Sequence, residues 1–154
     1  MPKIDLDSID ETNRTGYPPP FDEPVQGRWQ KRLAPAASLT ALGATRVRLD
    51  PGAWSSQRHW HDSEDEMVVM LSGEAVLVDD DGEHVMRAGD CASFPKGDGN
   101  GHVLQNRADT DCVFVAVGAN AATAGQAESD CHYSDIDMHL PGGGHFVRKD
   151  GTEF

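Results

Sequence analysis

Between about residues 40 and 118 the chain is cut into apolar runs of about four to ten residues, each ended by turn chemistry, and this punctuation restricts the fold more than any other feature. Thr45-Arg46-Val47-Arg48-Leu49 alternates apolar and polar side chains and stops at Asp50-Pro51-Gly52. Met67-Val68-Val69-Met70-Leu71 is continuously apolar until Ser72-Gly73, and Ala75-Val76-Leu77-Val78 follows. Apolar runs on successive strands predict that both faces of those strands are covered. Asp79-Asp80-Asp81-Gly82 predicts a hairpin turn, Ala88-Gly89-Asp90 a second, and Cys112 to Val117 a closing strand. Eight or so strands with no convincing helix between them predict an all-β chain with a closed or double-sheet antiparallel architecture such as a jelly roll.

A chain of 154 residues suits one domain, and its 16 Gly and 9 Pro favour many turns over long helices. Residues 1–39 show little periodicity and contain Tyr17-Pro18-Pro19-Pro20-Phe21, which predicts an extended arm wrapping the barrel or a partner subunit. Residues 40–118 are the barrel. Residues 119–154 read as an Ala/Gly-rich linker over 119–127 followed by a tail. Arms at both ends predict a homodimer.

The formal net charge of -13 repels phosphate backbones and anionic lipid, so neither nucleic acid nor a membrane is expected as a partner. A small anion remains compatible, because one arginine or lysine can reverse the potential inside a pocket. The opening residues carry no apolar run behind basic ones, and no window approaches the roughly 18 apolar residues of a span, which predicts a cytoplasmic protein. Cys91, Cys112 and Cys131 are odd in number and widely spaced, as expected of reduced thiols.

The chemistry gathers around His59 and His61. On a strand, residues i and i+2 share a face, so both imidazoles project into the same space as a two-toothed grip for a metal. After the polar turn Asp62-Ser63-Glu64-Asp65, Glu66 opens the next run with an oxygen donor, and His102 starts another run after a Gly-rich loop.

These residues resemble the cupin superfamily. Its first motif appears as Gly52-x6-His59-x-His61-x4-Glu66-x6-Gly73 and its second as Gly89-x5-Pro95-x-Gly97-x4-His102-x3-Asn106. One extra residue lies before His59 and two extra before His102, while ligand order and glycine turns are kept. The resemblance implies a double-stranded β-helix, or jelly-roll, barrel in which His59, His61, Glu66 and His102 hold one divalent transition metal. Imidazoles with one carboxylate suit Zn, Mn, Fe, Ni or Cu, and four ligands on an octahedral ion leave two positions open.

If His59 and His61 face inward, strand parity puts Gln57 inward as a ligand partner, and Val68 and Met70 share parity with Glu66 as an apolar wall. Lys96, near the barrel mouth, is a candidate for attracting a carboxylate or phosphate. The expected ligand is therefore a small molecule such as a sugar or carboxylate. The whole-chain pattern resembles small bacterial one-domain cupins grouped under the label of sugar-phosphate isomerases, which implies a metal-dependent isomerase. An Fe(II)-dependent dioxygenase and a non-enzymatic small-molecule-binding cupin are the alternatives, and no side chain in the motifs stands out as a catalytic base.

Overall fold

The computed structural model describes residues 3–119 and 129–154, and it is almost entirely β. Among the described residues eleven strands run in chain order: β1 (Arg28–Arg32), β2 (Leu42–Leu49), β3 (His59–His61), β4 (Glu66–Ser72), β5 (Glu74–Asp79), β6 (Gly82–Arg87), β7 (Cys91–Phe94), β8 (Val103–Gln105), β9 (Cys112–Ala119), β10 (Cys131–Tyr133) and β11 (His139–Leu140). A single turn of helix, α1 (Leu33–Ala36), joins β1 to β2. No helix among the described residues is long and apolar enough to cross a membrane.

Every strand pair is antiparallel. A five-stranded sheet is ordered β1-β2-β9-β4-β7, and two three-stranded sheets are ordered β6-β5-β8 and β11-β10-β3. The long β2–β9 ladder runs from Leu42 opposite Ala119 to Leu49 opposite Cys112. Alternation in β2 works as the sequence predicts: Val47 and Leu49 are buried, while Arg48 turns outward to Asp50, Asp111 and Glu11.

Turn chemistry sets the connections. Gly73, at φ +73°, passes so close to the end of β9 that a Cβ there would lie 2.5 Å from the Asp111 carbonyl oxygen. Only glycine fits such an approach at positive φ. The β5–β6 hairpin is tied by Asp79, whose Oδ1 accepts from the backbone N–H groups of Asp81 and Gly82.

Inward side chains of the five-stranded sheet and of the β6-β5-β8 sheet make one core that includes Leu49, Met70, Leu77, Leu104 and Phe114. Each fully buried side chain of this size contributes about 1.5–3 kcal/mol. The apolar run in β4 is not covered on both faces, contrary to its reading from sequence: Met67 and Leu71 are 42% and 49% exposed. The reason is that β4 lies in a sheet with only one face on the core, so its outward positions meet no second layer among the described residues.

The expected N-terminal arm of residues 1–39 is only partly an arm, because Arg28–Arg32 form β1 and extend the large sheet against β2. Its proximal part packs on this same chain. Tyr17 and Phe21 join Cys131, Tyr133, Met138 and Phe146 in a second apolar cluster, with the Tyr17 and Phe146 rings 5.1 Å apart. Within the expected extended arm, Pro18 to Phe21 form a turn, the Phe21 N–H donating to the Pro18 carbonyl. Apart from Ala119, which ends β9, the expected linker over 119–127 lies outside the described residues.

Candidate metal centre

Three separate elements bring the predicted donors together. His59 opens β3 and exchanges backbone hydrogen bonds with His102, in the stretch leading into β8. Glu66 opens β4, where it pairs with Phe94 of β7 and Gly118 of β9. Phe94 also stacks on the His102 ring, with centroids 3.5 Å apart and planes 6° from parallel. That contact fixes the ring so that His102 Nε2 lies 3.1 Å from Glu66 Oε2.

The donor atoms of His59, Glu66 and His102 all lie within 4.8 Å of one another. His61 stands at the side of this triangle, its Nε2 4.0 Å from Glu66 Oε2 and its ring centroid 5.0 Å from that of His59. It also groups with His59 and Cys131, because Cys131 of β10 pairs with His61 across the sheet. His59, Glu66 and His102 thus meet at one place, and His61 stands beside them.

Protonation suits a cation. Burial, reinforced by His102, pushes the His59 imidazolium down to about 3, so the ring is neutral. Its Nδ1 lies 2.9 Å from the Gln57 carbonyl oxygen and donates to it, which leaves Nε2 as the lone-pair atom. Burial alone would raise the Glu66 carboxyl, but the hydrogen bond from His102 and the surrounding imidazoles hold it below its usual range. Neutral His59 and His61, the latter's pKa lowered chiefly by burial, beside an ionised carboxylate and the His102 ring form a donor set that suits a divalent transition metal, so these residues fit one.

A cavity of about 240 Å³ opens beside the triangle. Val68 lines it as predicted, together with Ser55, Tyr17 and Arg28. Met70 does not: it lies in the barrel core, 1% exposed. Gln57 is outside the lining too, its side chain donating to the Phe21 carbonyl at 2.7 Å and its backbone N–H to the Tyr17 hydroxyl. Strand parity fails at Gln57 because β3 begins only at His59, and the residues before it form bends. Lys96 is exposed in the loop after β7, its N–H bonded to Asp65, and lies outside the cavity.

Sequence reasoning missed Arg28 and Tyr17, which reach the site from the N-terminal segment and belong to neither motif. The Arg28 guanidinium donates from Nη1 to the Ser55 carbonyl, while its buried Nε has no partner among the described residues. The Tyr17 and Tyr133 hydroxyls are hydrogen-bonded, and Tyr133 also meets Cys131. Burial raises the pKa of both phenols, Tyr17 more simply and Tyr133 with the further push of Tyr17 and Cys131. Glu64, in the turn before Glu66, was likewise passed over: burial, then the Glu66 charge, pushes its carboxyl up to about 7. Its signal was hidden because acidic turn residues are usually solvated.

Comparison with known proteins places this geometry. The Cupin domain family matches residues 45–118. A solved sugar phosphate isomerase of the cupin superfamily from Silicibacter pomeroyi is 44% identical, covering 99% of this chain and 96% of that one, with a TM-score of 0.91. A candidate sugar phosphate isomerase from Acidithiobacillus ferrooxidans is 24% identical over 78% of this chain and 74% of that one, with a TM-score of 0.69. A predicted oxalate decarboxylase from Thermotoga maritima is 24% identical over 76% of this chain and 97% of that one, with a TM-score of 0.60. The latter two support the jelly-roll fold alone. No match was found among curated proteins.

Proposed function

Because the chain belongs to the cupin superfamily, we propose that it is a metal-dependent isomerase acting on a small sugar or sugar phosphate. The observation that carries this reading is the pairing, in one cavity, of the metal-type donors His59, Glu66 and His102 with the Arg28 guanidinium. Among the described residues Arg28 has no carboxylate within ion-pair distance. A half-buried cation with no carboxylate in reach among the described residues suits an anionic ligand, since desolvation strengthens its attraction for one. The name of the Silicibacter pomeroyi relative supports the same class.

A divalent metal held by His59, His61, Glu66 and His102 would supply Lewis acidity to adjacent oxygens of an open-chain sugar. Arg28 then holds the phosphate or carboxylate end of the substrate. Tyr17 remains a protonated phenol, a donor for a substrate oxygen. Val68 and Phe114 form apolar wall and exclude water. The Gln57 carbonyl keeps the His59 ring in one tautomer.

The test is anaerobic turnover of aldose and ketose phosphates by Mn(II)- or Zn(II)-loaded protein. Interconversion is expected, with Arg28→Ala raising KM for phosphorylated sugars about tenfold or more while unphosphorylated analogues are unaffected. Absence of turnover across a panel of such phosphates refutes the isomerase. One observation favours a second reading, an Fe(II)-dependent dioxygenase: Tyr17 lines the cavity and the Tyr133 ring lies 5.8 Å from His59. Oxygen uptake by Fe(II)-loaded protein with a small enol or thiol substrate would establish it instead.

A further inference from the structure

The small sheet β11-β10-β3 has two faces, and the metal centre uses one. Tyr133 pairs with His59 and Cys131 with His61, so these residues share the cavity side. On the opposite side, His132 pairs with Trp60 on one flank and with His139 on the other. Asp62 and Asp130 stand two residues from Trp60 and His132, on that same outer face, and their backbones are joined by the Asp62 N–H donating to the Asp130 carbonyl.

Side chains in this outer row converge. The His132 and His139 rings lie 4.7 Å apart, and His139 Nε2 is 3.3 Å from Asp130 Oδ2. Asp130 is aimed by its other oxygen, which accepts from the Gly142 N–H at 2.8 Å. His132 is held by Trp60, stacked on it at 4.2 Å and 17°. His132 Nε2 is buried and lies 2.9 Å from Asp62 Oδ1, yet the two are not aligned for a hydrogen bond, and no other group among the described residues satisfies the nitrogen. Donor atoms of Asp130, His132 and His139 all fall within 4.8 Å of one another.

We infer that Asp130, His132 and His139, with Asp62 beside them, form a second divalent-metal site of the zinc type on the outer face of β3 and β10. Two imidazoles with one or two carboxylates are zinc-type donors, whereas calcium and magnesium favour all-oxygen shells. Ligands about 2.0–2.1 Å from a tetrahedral zinc ion lie roughly 3.4 Å from each other, close to the 3.3 Å between His139 Nε2 and Asp130 Oδ2. The close but misaligned approach of Asp62 to His132 is what two ligands of one ion show, since each points at the ion and not at its neighbour. His132 and His139 lie on β10 and β11, Asp130 immediately before β10 and Asp62 immediately after β3, so the ion ties the C-terminal segment to the strand carrying His59 and His61. Bridging sites far apart in sequence restricts the unfolded chain and stabilises that docking.

The experiment measures zinc stoichiometry by mass spectrometry after chelator treatment, reloading with Zn(II) and removal of excess. Two equivalents per chain are expected. The His132→Ala/His139→Ala variant should retain one, held in the barrel, and His59→Ala/His102→Ala should also retain one, held outside it. A stoichiometry unchanged by the outer pair of substitutions overturns the inference, as does a single equivalent abolished by the barrel pair. Circular dichroism reports whether each variant is folded. Should the outer double variant unfold, Asp130→Asn, which keeps the acceptor for Gly142, gives the decision. A tenfold or greater loss of Zn(II) affinity at one of two sites supports the second site, and two unchanged affinities refute it.

Discussion

Replacing Asn106 by Leu tests how much of the barrel depends on one buried amide. Asn106 is 1% exposed and bonds three backbone groups: Nδ2 donates to the Leu49 and Thr110 carbonyls at 2.9 Å each, and Oδ1 accepts from the Ala108 N–H at 3.1 Å. Leucine has the same number of side-chain heavy atoms, branched at the same carbon, so the outline is roughly kept, although its methyl groups are bulkier, and the main loss is one of hydrogen bonds. The three groups do not lose equally. Leu49 is fully buried, so its carbonyl loses a donor that water cannot replace, at about 1–3 kcal/mol. Thr110 is exposed and Ala108 half-buried, so water recovers part of their loss, and each costs about 0.5–1 kcal/mol. The expected destabilisation is about 2–5 kcal/mol, a large share of the 5–15 kcal/mol typical of a domain. Urea unfolding followed by circular dichroism reads it as a lower midpoint at unchanged slope. A loss below about 1 kcal/mol would refute the reasoning, because it would mean that the end of β2 and the loop after β8 do not depend on this amide.

Gly73→Ala puts a Cβ 2.5 Å from the Asp111 carbonyl oxygen and 2.8 Å from Cys112 Cα at a residue with φ +73°, so the urea midpoint should correspond to a loss of at least about 2 kcal/mol. An unchanged midpoint would show that the β4–β5 turn can move away from β9. Cys91 is exposed and should react with iodoacetamide in the native protein at pH 8, whereas Cys112, pushed up to about 11 by burial, should not. Because burial favours the protonated Cys112 thiol, the folded state keeps its proton above the ordinary value of 9.0, and this contribution to stability is lost as the pH rises from there to about 11. Cys112→Ala should flatten that part of the pH profile of the urea midpoint, and an identical slope in the variant would contradict the assignment.

The strands and the donor set were legible in the sequence because both depend on short-range rules. Alternation in Thr45 to Leu49, the Asp79 to Gly82 turn and the i, i+2 spacing of His59 and His61 each act within a few residues, where backbone geometry leaves little choice. Even there the local rule ended where the strand did. Gln57 is two residues from His59, yet outside β3 it turns away from the cavity and anchors the N-terminal segment through Phe21.

Tertiary structure alone decided what stands opposite the metal donors and what lies behind them. Arg28 enters the cavity because β1 pairs with β2, and Tyr17 because it and Phe21 pack against the C-terminal tail. His132 and His139 face Asp62 because β10 adds to β3, a pairing between residues about seventy positions apart. No periodicity in the sequence encodes such neighbours, since the free energy that selects them comes from burying one face of each segment against whichever partner completes the core. The sequence therefore determined which atoms can bind a cation in the barrel, and the packing of its two ends determined what those atoms face.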